Sequence, residues 1–253
     1  MLESFGRTDV GRRRKLNEDS FLVAPEPNLY AVCDGMGGHN AGEVASQMAI
    51  ETLAAFIEKS HKEKEITWPY GLDVNLSFDG NRLKTAIKLA NKKVFRAADN
   101  REEYTGMGTT VVAALVTGGL MTIGSAGDSR CYLLRGGALT QLTRDDSWVS
   151  AALGEGILNS EEVERHPLRN VITKAVGAKE SIELDVVEHE LAAGDLAFLC
   201  SDGLHAMISD AEILRALTPM PVSLEEAAGK LIDAANEAGG KDNVTVVLLR
   251  YTQ

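Results

Sequence analysis

The sequence predicts an α+β protein whose sheets are mainly antiparallel. Twice an apolar, β-branched run meets a pair of glycines and then a second apolar run, within residues 109–126 and 130–142. This pattern is typical of tight hairpins, and two successive hairpins predict an antiparallel meander instead of a doubly wound parallel sheet. Apolar residues at helical spacing in residues 41–60 and 79–94 add two amphipathic helices to this sheet.

The N-terminal part of the chain begins with short strands and continues with the two helices. The expected strands are residues 3–10, 21–23 and 29–33. The amphipathic pattern of residues 41–60 predicts a helix that packs on the core. Asp79 is expected to cap the second helix, and the polar segment 61–77 between the helices is expected to be a loop.

The C-terminal half contains one segment without strand periodicity, residues 145–176. We expect it to run over the surface, either as a flap or as an ordinary Ω-type loop, with a short helix capped by Ser160. The strands expected after it are residues 183–191, 196–200 and 244–250. Ser223 and Glu226 predict a capping box for a third helix. Because no repeat or linker-like stretch interrupts the chain, one domain over residues 1–253 is expected.

Composition excludes several classes of protein. The formal net charge of -11 argues against a nucleic-acid binder, which ordinarily has a basic face. Cys33, Cys131 and Cys200 lie in or at the ends of apolar runs, so they are expected to be buried free thiols in a reducing compartment. Neither a signal-peptide segment nor an apolar run of membrane-spanning length is present in the sequence. A soluble, cytoplasmic protein is therefore expected.

The turn after residues 29–33 is the first candidate functional site. An apolar run ends in Asp34, and Gly35 and further glycines follow before the first helix. A carboxylate beside a flexible backbone can deliver two oxygen ligands to one small volume, which suits a hard cation such as Mg²⁺ or Mn²⁺. Alternatively, Asp34 only caps the helix that follows.

The same arrangement recurs along the chain. Aspartates stand beside glycine or asparagine at four predicted strand ends or turns, namely Asp34, Asp128, Asp202 and Asp242. A fifth turn carries Glu18 and Asp19, although adjacent acids there are ordinarily solvated turn residues. Gathered carboxylates repel each other unless cations neutralise them, and two ions that share a carboxylate make a bridging water acidic enough to be a nucleophile. Arg14, beside the acid pair, suits a phosphate, so the set indicates hydrolysis of a phosphate ester.

The ordered set of motifs resembles the metal-dependent PPM, or type 2C, protein serine/threonine phosphatases in their bacterial form. The motifs are RKLNEDS at 14–20, DGMGGHNAGE at 34–43, GMGTT at 106–110, GDSR at 127–130, CSDG at 200–203 and KDN at 241–243. HPLRNVIT at 166–173 is similar to the flap of that branch. The resemblance covers about residues 3–250. It implies an α-β-β-α sandwich of two mainly antiparallel sheets flanked by helices, with a flap at about 145–176 and a dinuclear site at one edge.

The resemblance also implies a set of residues that would hold two or three Mn²⁺ or Mg²⁺ ions. These are Glu18, Asp19, Asp34, Gly35, Asp128, Asp202 and Asp242. Asp34 would bridge two ions and Gly35 would offer its carbonyl to the second. Asp202 and Asp242 would complete the first ion, while Glu18 and Asp19 would serve the second directly or through water. Asp128, with Asp202, would hold a weaker third ion.

Two further roles follow from the resemblance. Arg14 would bind the substrate phosphate. His39 would protonate the leaving oxygen of serine or threonine, a role that suits a histidine near neutral pKa; alternatively it is a helix-start histidine bonded to the backbone. In one place the chain departs from bacterial relatives: Asp145, Asp146 and Ser147 stand where an Asp-His-Ser sequence is frequent.

The function implied by the resemblance is hydrolysis of phosphoserine and phosphothreonine in proteins. A hydroxide that bridges the metals would attack phosphorus directly, without a covalent intermediate. The implied partners are phosphorylated proteins, including a cognate bacterial serine/threonine kinase whose action the enzyme would reverse, and a monomer is expected. Two alternatives remain open at this point: a phosphoprotein-binding regulator with incidental turnover, and a hydrolase of small phosphate esters.

Overall fold

The computed structural model describes residues 1–38, 41–63, 68–219 and 223–252. The strands are β1 (Leu2–Asp9), β2 (Asp19–Ala24), β3 (Leu29–Met36), β4 (Gly108–Thr109), β5 (Val111–Thr117), β6 (Leu120–Ala126), β7 (Arg130–Arg135), β8 (Ala138–Gln141), β9 (Asp185–Glu190), β10 (Leu196–Cys200) and β11 (Val244–Tyr251). The helices are α1 (Ala41–Lys62), α2 (Phe78–Asn100), α3 (Trp148–Gly154), α4 (Ser160–Arg165), α5 (Asp202–His205), α6 (Asp210–Ala216) and α7 (Leu224–Glu237). A short 3₁₀ turn, Glu102–Tyr104, follows α2.

The strands form two sheets in which neighbouring strands run antiparallel. The first sheet has the order β1-β11-β10-β7-β8, and the second has the order β2-β3-β5-β6-β9, with β4 paired to β3. The central strands are apolar and buried on both faces, as in β10, where all five residues are buried. Strands of this kind need a covering layer on each side.

Three apolar clusters define four layers. The helices α1 and α2 pack on the second sheet through a cluster that includes Leu53, Ile87 and Leu115. The two sheets pack on each other through Val32, Ile123 and Leu199, and α6 and α7 cover the first sheet through Phe198, Leu231 and Leu248. Neighbouring residues of β10 belong to different clusters because side chains alternate across a strand. The predicted α-β-β-α sandwich is confirmed.

Both predicted hairpins are present, but they do not form one meander. The hairpin β5–β6 lies in the second sheet, whereas β7–β8 lies in the first. The expectation of a continuous antiparallel meander was therefore wrong. The chain crosses between the sheets at residues 127–129, where Gly127 has a φ of +108°, a conformation that favours glycine. Asp128 consequently stands where the two sheets meet.

Two of the predicted helix caps are displaced along the chain. The side chain of Ser77, not that of Asp79, accepts the hydrogen bond from Gly80 N that caps α2, while Asp79 pairs with Arg82 at 2.8 Å. In the same way Asn159, not Ser160, caps α4. Each helix begins earlier than its apolar periodicity indicates, because the first turn need not contact the core. Ser223 caps α7 as predicted.

Residues 145–176 leave the first sheet, form α3 and α4, and return to their starting point. The two ends of the segment are joined by an antiparallel bridge between Ser147 and Ile172 and by Thr173 N, which donates to Asp146 O at 2.7 Å. The indole of Trp148 stacks on the ring of His166 at 4.7 Å between centroids. The segment is thus a loop whose two ends are hydrogen-bonded to each other. Of the helices described, none has the length and apolar character needed to cross a bilayer.

The cap of α2 provides a test of the corrected helix start. Ser77→Ala should lower the free energy of unfolding by about 0.5–2 kcal/mol because it removes the acceptor for Gly80 N. Urea unfolding followed by circular dichroism measures the change. Asn75→Ala, in the preceding loop, is the comparison variant. A loss no larger than that of Asn75→Ala would contradict the assignment of Ser77 as the cap.

Candidate metal centre

The sheet register brings the first two carboxylates together. Asp19, the first residue of β2, is directly opposite Asp34 near the end of β3. Side chains directly opposite each other on antiparallel strands share one face of the sheet and lie about 4.5–5.5 Å apart at Cβ. Two like charges in this position are destabilising. The pairing therefore requires a compensating positive charge or a bound proton.

Asp202 and Asp242 reach the same edge from the first sheet. β10 and β11 are antiparallel neighbours, so the end of β10, which leads into Asp202, lies beside the start of β11, which follows Asp242. The contact is close because residue 203 is glycine: a Cβ there would stand 1.8 Å from the carbonyl oxygen of Asn243. Any larger residue at position 203 would push α5 away from the turn that carries Asp242.

The electrostatics show that these carboxylates converge. Burial, then the charges of Asp19 and Asp202, raise the pKa of Asp34 well above its ordinary value. Burial and the charge of Asp242 raise the pKa of Asp19 to about 6, although hydrogen bonds to the carboxylate oppose this rise. Burial and the charges of Asp242 and Asp19 raise the pKa of Asp202 to about 6. Burial and the charge of Asp202 raise the pKa of Asp128 to about 7. Each acid is thus destabilised by at least one of the others.

Two carboxylate oxygens of this cluster have the property expected of cation ligands, because they are buried and lack a hydrogen-bond donor among the described residues. Asp19 Oδ2 accepts hydrogen bonds from Ser201 Oγ at 2.8 Å and Thr245 Oγ1 at 2.6 Å. In contrast, Asp19 Oδ1 and Asp202 Oδ1 are buried and have no hydrogen-bond partner within the described part of the chain. A buried carboxylate oxygen without a partner is costly. Oxygen donors of this kind fit Mn²⁺ or Mg²⁺, so the residues present fit the predicted metals.

Arg14 contacts the carboxylate cluster through Asp242. Its Nη2 donates to Asp242 Oδ2 at 2.6 Å, and this hydrogen bond raises the pKa of the guanidinium. Among the described residues, no three His, Cys, Asp or Glu side chains form a ready-made ligand group around one point. The hydrogen bond from Arg14 provides Asp242 with a positively charged partner in this structure. Arg14 and a metal ion are therefore alternative counter-charges for Asp242.

Glu18 is fixed through its backbone. Its N–H donates to Asn243 Oδ1 at 2.8 Å, and its carbonyl accepts from Gly35 N at 3.1 Å and from Ser46 Oγ at 2.6 Å. The side chain reaches the start of α1, where a Cβ on Gly42 would stand 2.3 Å from Glu18 Oε1. Burial is the largest cause of the raised pKa of Glu18. The segment between β1 and β2 is thereby bound to both sheets.

Several positioning residues were not identified from the sequence. Thr110 Oγ1 accepts from Asp34 N at 2.9 Å, and Thr109 Oγ1 donates to Asp34 O at 2.8 Å. Thr110 also bonds Ser129 Oγ at 2.7 Å, which connects Asp34 with the turn of Asp128. Asn243 Nδ2 donates to two carbonyls of the segment that carries Arg14. These residues lie in the motifs GMGTT, GDSR and KDN. The sequence therefore marked their positions but did not indicate that they position the carboxylates.

His205 was also missed, and nothing in the spacing of the sequence indicates its contact. Its Nε2 bonds the carbonyl of Asp128 at 3.0 Å, and burial and the charge of Arg130 lower its pKa. The neutral imidazole holds the turn that presents Asp128. Of the other predicted site residues, Gly35 lies in the cluster, where a Cβ would stand 2.1 Å from Gly42 O. His39 lies outside the described residues.

The acidic residues at the flap base make structural contacts. Asp145 receives a bidentate bond from Arg130, whose Nε and Nη2 lie at 2.9 and 2.7 Å from its oxygens. Asp146 pairs with Lys174 at 2.7 Å and accepts from Gly127 N at 3.2 Å. Asp146 therefore ties the flap to the turn of Asp128.

Buried carboxylates and an arginine meet at one edge of a two-sheet sandwich, which is the arrangement that the resemblance to the type 2C phosphatases implies. The comparisons with known proteins agree. A family model described as protein phosphatase 2C matches residues 10–236. The serine/threonine protein phosphatase PstP of Mycobacterium tuberculosis is 40% identical over 98% of this chain, which spans 45% of PstP. The serine/threonine phosphatase stp of Listeria innocua is 36% identical over 96% of this chain and 93% of its own length.

A solved structure gives the same result for the fold. The catalytic domain of PstP, determined in complex with two manganese ions, superposes with a TM-score of 0.84 at 36% identity, and the match covers 100% of this chain and 99% of that one. The chain belongs to the protein phosphatase 2C family, whose members named above are serine/threonine protein phosphatases. The family predicted from the motifs is confirmed, and the manganese ions of PstP agree with the predicted cofactors.

The raised pKa values predict how a metal ion affects stability at different pH. Between about pH 4 and 7 the folded, metal-free protein holds protons on Asp19, Asp202 and Asp128 that the unfolded chain has released. Its free energy of unfolding therefore falls as pH rises through this window. Because a metal ion binds the deprotonated carboxylates, the stabilisation by Mn²⁺ should grow over the same window.

Differential scanning calorimetry with Mn²⁺ or with chelator measures this effect. At about 100 times the dissociation constant, Mn²⁺ should raise Tm at pH 8 by roughly 5–10 °C. The shift at pH 5 should be much smaller. Potassium chloride at matched ionic strength is the control. Equal shifts at both pH values would show that the carboxylates with raised pKa are not the ligands.

Proposed function

We propose that this chain hydrolyses phosphoserine and phosphothreonine in proteins with the help of Mn²⁺ or Mg²⁺. The observation that carries the proposal is the convergence of carboxylates from both sheets on one edge, with two buried oxygens that lack partners and with Arg14 beside them. Membership of the protein phosphatase 2C family supports the reaction class. The chain spans about half the length of its M. tuberculosis relatives, so the activity and partners of the whole protein belong to the proposal.

The residues that would hold the metals are those that the sequence predicts. They are Glu18, Asp19, Asp34, Gly35, Asp128, Asp202 and Asp242. Bound Mn²⁺ or Mg²⁺ would neutralise the phosphate and make a water acidic enough to attack phosphorus. The chain itself supplies orientation: the hydroxyls of Ser201 and Thr245 fix one oxygen of Asp19, and the backbone at Asp34 is held by Thr109 and Thr110.

Arg14 would act on the substrate phosphate. In the structure its guanidinium bonds Asp242. When Asp242 serves a cation, that hydrogen bond is lost, and the planar guanidinium is free to bind two phosphate oxygens. Arg14 lies in an exposed segment, with its side chain 48% accessible, so this change of partner needs no rearrangement of the core.

The remaining features of the proposal rest on the family and on local chemistry. His39 would protonate the leaving oxygen of serine or threonine. The three cysteines are free and buried, which favours a reducing compartment, and we therefore place the domain in the cytoplasm. We further propose one monomeric domain with a flap at 145–176, acting on phosphoproteins that include a cognate serine/threonine kinase.

The metal ligands are tested by removing single charges. Asp34→Asn and Asp242→Asn should each lower Mn²⁺-dependent kcat/KM on a phosphothreonine peptide by at least about 100-fold, since each removes a direct ligand. Isothermal titration with Mn²⁺ should show weaker binding. Asp233→Asn, on the exposed face of α7, is the control and should retain activity. Full activity of Asp34→Asn would refute the dinuclear site.

The same assay separates the alternatives. A phosphoprotein-binding regulator would bind the peptide and show negligible turnover at saturating Mn²⁺. A hydrolase of small phosphate esters would act on p-nitrophenyl phosphate far better than on the peptide. Efficient hydrolysis of the peptide supports the protein phosphatase.

The role of Arg14 predicts a separate effect. Arg14→Gln should lower kcat/KM for the phosphopeptide by about 10- to 100-fold through KM, because a charge-assisted hydrogen bond to the phosphate is lost. Its affinity for Mn²⁺ should not fall, since no competing guanidinium remains at Asp242. Arg13→Gln, one residue away and also exposed, is the control. An unchanged KM would remove Arg14 from the phosphate site.

A further inference from the structure

A groove continues from the metal centre along the flap. It has a volume of about 840 Å³, and at one end it is lined by Asp128, Asp202 and Asp242. Arg144 also lines it. Arg144 borders a neighbouring cavity too, and that cavity contains none of these three carboxylates. Arg144 is exposed and lies between the groove and this second cavity.

Apolar side chains form part of the groove wall among a larger number of polar and charged residues. α3 contributes Val149 and Leu153, and the segment after α5 contributes Met207 and Ile208. Leu153 is 42% exposed, although the two other aliphatic side chains Val149 and Ile208 are nearly covered. Concave surfaces with apolar walls and a few polar groups are typical of binding sites. This groove includes the carboxylates beside which the phosphate would be held.

Three arginines line the groove, Arg130, Arg144 and Arg169, and the contacts of Arg144 differ from those of Arg130. Arg130 is engaged by Asp145 and by Tyr132 Oη at 2.8 Å. Arg144, in contrast, is paired with no carboxylate among the residues that the structure describes. Its Nη2 lies against the end of α3, where a Cβ on Gly154 would stand 2.9 Å away. The glycine leaves room for the guanidinium at this place.

We propose that this groove binds the substrate chain next to the phosphorylated residue, and that Arg144 selects substrates with an anionic side chain there. The occupant is a segment of the phosphoprotein, because the groove is continuous with the carboxylate site. In a protein of net charge -11, an unpaired guanidinium at its rim complements an anion. Both a carboxylate and a second phosphate have the required chemistry, since the guanidinium binds either bidentately. The inference rests on the proposed function.

The test uses phosphothreonine peptides of equal length. Glutamate is placed in turn at each of the five positions on either side of the phosphothreonine, and glutamine or lysine replaces it in matched peptides. At one or more positions, kcat/KM should be about 3- to 10-fold higher for glutamate than for glutamine, the range of a partly exposed charge pair. A parallel peptide carries a non-hydrolysable phosphonate at the best position, which distinguishes a preference for a second phosphate from one for a carboxylate.

Variants of Arg144 then show whether this residue causes the preference for glutamate. Arg144→Gln should bring the glutamate-to-glutamine ratio to about one, and Arg144→Glu should favour the lysine peptide. Arg165→Gln is the matched control, because Arg165, like Arg144, is an exposed arginine, but it lies in the flap and does not line the groove. Leu153→Ser should raise KM for all peptides without changing the ratio. The ratio is internal to each variant, so a partial loss of folded protein does not affect it.

Three outcomes would overturn the proposal: no position that prefers glutamate, a ratio unchanged in Arg144→Gln, or an equal loss in Arg165→Gln. The last would indicate general attraction by the flap charge. These outcomes can be distinguished from a failure of the proposed phosphatase function, because in that case the Mn²⁺-loaded protein would hydrolyse no phosphopeptide. A preference that survives only below physiological salt would likewise contradict a direct contact, since screening weakens long-range attraction most.

Discussion

The mutual repulsion of buried carboxylates is the constraint on which this structure depends. Asp19 and Asp34 oppose each other across two strands, and Asp202 approaches them from the other sheet. Their raised pKa values show that the folded chain bears an electrostatic cost at this edge. The cost is tolerated because three apolar clusters, on both sides of and between the sheets, fix the strand ends irrespective of charge. A site of high charge density therefore stands on a scaffold that is held together by apolar packing and whose stability the charges lower.

The scaffold transmits its rigidity to the site through short backbone contacts and hydroxyl groups. Asn243 links the start of β11 to the segment that carries Glu18, and the threonines at the end of β4 and directly after it hold the backbone at Asp34. Gly203 permits a contact that no other residue would allow. Thus Glu18, Asp19 and Asp34 are positioned by neighbours that carry no charge, and an ion that binds there meets a largely fixed backbone.

Recognition and chemistry are separated along the groove. In the proposed function the carboxylates and Arg14 would act on the phosphate, which is common to all substrates of the class, whereas α3 and Arg144 line the groove that would hold what lies beside it. The flap is joined at its base to the turn of Asp128 through Asp146, Lys174 and Gly127. Consequently the surface that would select substrates and the turn that would hold a third ion are mechanically connected, although they belong to different parts of the fold.

The sequence by itself determined the strands, the hairpins, the amphipathic helices and the identity of the candidate ligands, because these follow from local periodicity and from motifs such as KDN at 241–243. Local pattern gave no information about which sheet each hairpin joins, so the expectation of one meander failed. It also placed the caps of α2 and α4 one or two residues late. Only the tertiary structure decided that Arg14 rests on Asp242, that His205 supports Asp128, and that Arg144 borders the groove. These contacts join residues far apart in the chain, and their geometry depends on how the two sheets pack.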